Sequence, residues 1–140
     1  MGAGAAALLL AAAANPGADV TVPVSGLRSA KGQVLVCMTR AEKSFPDCRR
    51  DAASFKARVP AGPGAKARFD HVPPGRYAIA VLHDENGNGR ADRVMGMMPR
   101  EGFGFSRDAP VRMGPPKFAD AVFAVGGGEM VQPVHMRYMF

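Results

Sequence analysis

The stretch Arg76 to His83, reading RYAIAVLH, constrains the fold more than any other part of the chain. Tyr77, Ile79, Val81 and His83 alternate with Arg76, Ala78, Ala80 and Leu82, so a strand here is largely apolar on both faces and belongs inside a layered sheet. The run is too short for an ordinary helix. Pro73, Pro74 and Gly75 set its start, because proline fixes φ and lacks a donor while glycine opens positive φ.

The strand runs directly into the loop DENGNGRAD. Asp84, Asn86, Asn88, Gly89 and Asp92 match positions one, three, five, six and nine of an EF-hand-type calcium loop, in which alternate residues turn oxygens inward and glycine permits the sharp bend. Arg90, at position seven, offers its backbone carbonyl. Met95 stands at position twelve, where such a loop has a bidentate Glu. With two formal negatives and the cations of Arg90 and Arg93 close by, calcium affinity is expected no better than about 10⁻⁴–10⁻³ M. A second reading fits the same residues: Asn86-Gly87 and Asn88-Gly89 are favoured tight-turn dipeptides, and Asx residues cap turns without a metal.

Around this centre the pattern is strand after strand. Val20, Val22 and Val24 alternate with Thr21, Pro23 and Ser25, which predicts a strand near a sheet edge because of the proline. Gln33 to Thr39 is almost wholly apolar and reads as buried. Arg40 to Ser54 is polar and reads as a loop. Phe55 to Val59 and Ala65 to His71 are strands on either side of the turn Pro60-Ala61-Gly62-Pro63-Gly64. Gly96 to Lys117, rich in Gly, Pro and Met, has neither helical nor strand periodicity and reads as a long loop of the functional kind. Phe118 to Val125 and Glu129 to Tyr138 are expected to form a hairpin across Gly126-Gly127-Gly128. The total is about seven strands and no long helix, an all-β antiparallel sandwich of prealbumin (transthyretin)-like or Ig-like kind.

The chain's 140 residues suffice for one core. Ala5 to Ala14 is an unbroken Ala/Leu run, far short of the roughly 20 residues of a membrane span and of the right length for a signal-peptide core. Ala12-Ala13-Ala14 supplies a cleavage pattern, although no Lys or Arg precedes the run. The expected organisation is a signal peptide over 1–14, a linker over 15–19 and a sandwich domain over 20–140, placing the mature protein in the periplasm or outside the cell, with no transmembrane span. Cys37 and Cys48 form an even pair that suits an oxidising compartment and a disulfide. The net charge is +6, but acidic residues interleave with the basic ones, and with no Trp and two Tyr the aromatic platforms that stack bases are missing. No nucleic-acid partner is expected. His71, His83 and His135 have no metal-ligand spacing and read as strand histidines.

Taken together, PPGRYAIAVLHDENGNGRAD, GFGFS and GPPKFADAVFAV resemble the DUF2141 family of bacterial proteins, over roughly Val20 to Tyr138. The resemblance implies a prealbumin-like or Cna-B-like sandwich and export, and carries no established activity. Two functions are weighed on it. The first is an exported cell-envelope binding or structural module with an unidentified partner or ligand and a weak calcium loop. The second is a small hydrolase on a transthyretin-like fold, but the C-terminal YRGS motif of hydroxyisourate hydrolases is replaced here by HMRYMF. A non-enzymatic role is therefore expected.

Overall fold

A computed structural model describes residues 17–87, 93–94, 98–99 and 101–139, with backbone alone at 93–94 and 98–99. The strands are β1 (Ala18–Ser25), β2 (Gln33–Thr39), β3 (Phe55–Pro60), β4 (Lys66–Val72), β5 (Gly75–Asp84), β6 (Arg93–Val94), β7 (Met98–Pro99), β8 (Gly102–Phe105), β9 (Phe123–Val125), β10 (Gly128–Val131) and β11 (Val134–His135). A 3-10 turn at Ser106–Asp108 and a single helical turn, α1 (Phe118–Ala121), interrupt them. The expected signal peptide over 1–14 lies outside the described residues. β1 begins at Ala18, inside the expected linker.

Two sheets face each other. In the first, β1 lies between antiparallel β4 and the parallel strands β10 and β11. The second runs β3-β2-β5-β8, all antiparallel, with β9 also paired to β5. β6 and β7 pair only with each other among the described residues. The sandwich expected from the strand pattern is therefore present.

β1 is central rather than an edge, and the reason Pro23 is tolerated there is local. Gln132 and Met136 donate their N–H groups to the carbonyls of Thr21 and Ser25, so by alternation residue 23 turns its nitrogen toward the same side. There the partner changes from β10 to β11, and a missing donor interrupts no ladder bond.

The inner core lies between the sheets. Val20, Val22, Val34, Val72 and Ile79 are fully buried there with Met38 and Tyr77, and each such aliphatic side chain contributes about 1.5–3 kcal/mol relative to exposure. The first sheet turns Asp19, Arg68 and Asp70 outward, where Arg68 pairs with both aspartates.

The second sheet is covered on both faces, which explains why β2 and β5 are apolar all round. On its outer side Phe45, Ala78, Phe103, Phe105, Ala109, Phe118, Ala121 and Val122 form a second cluster. Phe45 comes from the polar Arg40 to Ser54 segment and meets Phe105 and Phe118 edge to face. Cys37, on the half-buried face of β2, is bonded to Cys48 in that segment, with Cα atoms 6.3 Å apart, inside the roughly 4.4–6.8 Å range the bond allows. The disulfide holds the segment over the sheet.

Three expectations for the C-terminal half are corrected. Gly96 to Lys117 is not a plain loop, because Gly102–Phe105 forms β8 against β5. Its period of two is carried by glycine: a Cβ at Gly102 would collide with the Tyr138 ring, and one at Gly104 with Val134 and the His135 carbonyl. Phe103 and Phe105 enter the outer cluster instead. Phe118 to Ala121 is helical, and no hairpin follows it. β9 joins β5 in one sheet, whereas β10 joins β1 in the other, so the Gly126-Gly127 link crosses between sheets.

Candidate functional site

The end of β5 collects charge in an unusual way. Gln33 on β2 is paired with Asp84, and His83 is paired with Gly102 on β8. Gln33 and Asp84 thus pair across β2 and β5, and Glu101 directly precedes β8 at the same end of the sheet. Asp84 is fully buried and Glu101 is 3% exposed. Gln33 Nε2 donates to Asp84 Oδ2 at 2.9 Å, and the Glu85 N–H donates to Glu101 Oε2 at 2.8 Å. Carboxylates buried this deeply, when ionised, require donors or a cation to offset the lost hydration.

The backbone is equally constrained. The Gly87 N–H donates to the Asp84 carbonyl at 3.3 Å, closing a turn in which Gly87 has φ +70°. Gly32, at φ +69°, packs beneath it so closely that a Cβ would strike the carbonyls of Asp84 and Glu85. The start of the predicted loop is therefore a tight turn, a geometry common to both sequence readings. Of the proposed ligands, Asp84 sits buried at its root and Asn86 is exposed on the turn. Asn88, Arg90 and Asp92 lie outside the described residues, as does Met95. Among the described residues, no three His, Cys, Asp or Glu side chains gather as a metal-holding group.

No linear spacing points to Glu101, and the sequence reading passes over it. It reaches the Asp84 end of β5 through strand pairing, one residue ahead of the Gly-Phe-Gly-Phe strand. An acid that the loop lacks at Met95 is in this way present at the loop's root.

The Glu85 side chain pairs elsewhere. Its Oε1 accepts from Arg28 Nη2 at 2.5 Å, and its Oε2 from Ser29 Oγ at 2.7 Å. The Arg28 guanidinium holds the Glu85 carboxyl down to about 2. Arg28 also lies over the Tyr138 ring, 4.6 Å from its centre. Below them His83 is fully buried, with Nε2 2.8 Å from the Lys31 carbonyl and Nδ1 2.7 Å from the Tyr138 hydroxyl. A carbonyl only accepts, so Nε2 carries a hydrogen and donates it to Lys31, while Nδ1 shares a hydrogen bond with the Tyr138 hydroxyl. The Tyr138 oxygen in turn accepts from the Arg28 N–H. This chain of bonds ties β5, the β1–β2 loop and the C-terminal segment into one unit under the candidate site. His135 meets Ser25 Oγ instead, and His71 is exposed, so the three histidines do not converge.

Residues 22–132 match the family described as "Uncharacterized protein conserved in bacteria (DUF2141)", and the chain belongs to that family. No curated protein and no solved structure matches it. Among the described residues, no helix is long and apolar enough to cross a membrane.

Proposed function

We propose that the protein is an exported cell-envelope domain that binds or braces a partner, and that the end of β5 takes a calcium ion weakly to stiffen the adjoining loop surface. The observation that carries the calcium reading is the burial of two acids at the root of a loop with alternating oxygen-bearing residues: Asp84 at the end of β5, and Glu101, which accepts the N–H of the next residue, Glu85. Two carboxylates raise the local negative charge, and Glu101 supplies the acid that Met95 does not. Asn86, Asn88, Asp92 and the Arg90 carbonyl are the further ligands by spacing. Export is supported by the Ala5 to Ala14 run with its Ala-Ala-Ala end and by the disulfide, a bond that persists in oxidising compartments.

Calcium titration with a thermal-unfolding readout tests this reading, since a ligand of the native state raises Tm by mass action. The expected result is a rise in Tm at millimolar calcium that Asp84→Ala and Glu101→Ala each abolish. A loop that is only a turn gives variants whose loss of stability is the same with and without calcium.

A further inference from the structure

A second charged feature lies at the opposite end of β5. Strand β8 and strand β9 take up β5 in succession, and Ser106 bridges the break between them: its Oγ accepts the Ile79 N–H at 2.9 Å and donates to the Ala121 carbonyl at 2.6 Å. The next residue, Arg107, is held at φ +58°, followed by Asp108 at +49°. Two successive left-handed residues, neither of them glycine, cost stability, and strain of this kind gathers where it positions a side chain. Arg107 Nη1 donates to the Val122 carbonyl at 3.3 Å.

That side chain forms one wall of an open cleft of about 440 Å³, lined also by Arg76, Val122, Phe123, Ala124 and Gln132. The lining holds two guanidinium groups, one amide and no carboxylate. Among the described residues neither Arg76 nor Arg107 forms an ion pair. Asp108, the acid next to Arg107, is bonded to Arg137. Arg76 is set opposite Ala124 by the β5–β9 register, which places an exposed cation beside the short apolar strand.

We propose that the cleft between Arg76 and Arg107 is a binding site for a small oxyanion, a molecule bearing a carboxylate or a phosphate. The guanidinium group suits either anion, because it stays charged and offers paired N–H donors that match the geometry of both. Gln132 adds an amide, and Val122, Phe123 and Ala124 offer apolar surface to the rest of the molecule. The volume lies within the range of small-ligand sites. The site does not depend on the calcium reading, because Arg76 and Asp84 are about 26 Å apart along an extended strand.

The test is an NMR amide and arginine side-chain titration of the full chain with inorganic phosphate and, separately, with succinate, at constant ionic strength kept by sodium chloride. Saturable shifts confined to Arg76, Arg107, Phe123, Ala124 and Gln132 are expected with at least one probe, and the probe that gives them identifies the anion class. Arg76→Gln and Arg107→Gln should each weaken binding about tenfold or more. Arg107→Gly separates function from structure: glycine accepts the left-handed backbone, so binding should weaken likewise while Tm holds or rises. The proposal is overturned by the absence of saturable shifts with both probes, by equal shifts from chloride alone, or by an Arg107→Gly variant that loses stability and keeps its affinity.

Discussion

The two ends of β5 carry opposite charge and treat it in opposite ways. At the Asp84 end, the carboxylates of Asp84 and Glu101 are buried in the sheet and received by Gln33 and the Glu85 N–H. At the Arg76 end, the guanidinium groups of Arg76 and Arg107 are exposed over an open cleft. A buried charge is part of the fold, because its lost hydration has to be offset by neighbours, whereas an exposed one is nearly free to change. Substitutions at the first end should therefore act on stability and ligand response together, and those at the second on ligand response alone.

The largest expected effect concerns what lies between the ends. Replacing Cys37 and Cys48 together by serine frees the segment that carries Phe45 over the outer face of the sheet. Stability should fall by about 3 kcal/mol, measured by urea unfolding under non-reducing conditions. Both ends should weaken together in that variant, since the sheet that joins them loses a cover.

Gly32→Ala comes next and acts on the acidic end alone. The substitution forces a Cβ into the Asp84 and Glu85 carbonyls at a left-handed backbone position, so a loss of about 2 kcal/mol or more is expected. Arg76→Ala, as the counterpart at the basic end, should stay within about 0.5 kcal/mol of wild type. Equal losses in these two variants break the comparison.

The smallest effect is one of pH. Because the Arg28 pair lowers the folded-state value of Glu85 from 4.5 to about 2, its contribution is complete above pH 4.5 and is lost as pH falls toward 2. Both partners are partly exposed, which limits the effect to about 1 kcal/mol. Asp47, held to about 2 by Arg49, titrates in the same window, so the informative quantity is the difference between wild type and Glu85→Gln. That difference in unfolding free energy should be constant above pH 5 and shrink between pH 4.5 and 2.

Much of the sandwich was legible because β3 and β4 alternate in the ordinary way, β2 and β5 are short apolar runs, and Gly and Pro turns separate β3 from β4 and β4 from β5. The double apolar face of β5 correctly implied a covered sheet, and the Cys37 and Cys48 pair correctly implied a bridge. β8 was missed because its alternation is between glycine and phenylalanine, which looks like loop composition until Tyr138 and Met136 are seen lying on the glycines. The C-terminal strands were read as a hairpin because local pairing is the simplest inference; parallel pairing of β10 with β1 joins the two ends of the domain and leaves no local signal. Asp84 and Asn86 were singled out by spacing along the chain. Glu101 and Arg107 were not, since one is brought in by register and the other by a left-handed backbone that its residue type does not announce.

That the two ends of β5 are chemically separate, and that the acidic one takes a cation, is tested most directly by a two-dimensional amide NMR titration of the full chain. The titrant is calcium chloride, at constant ionic strength. Saturable shifts at Gly32, Asp84, Glu85, Asn86 and Glu101, with Arg76, Arg107, Phe123 and Ala124 unmoved, are the result predicted here. Amides around Asp84 that stay still at millimolar calcium, or shifts spread equally over both ends, contradict it.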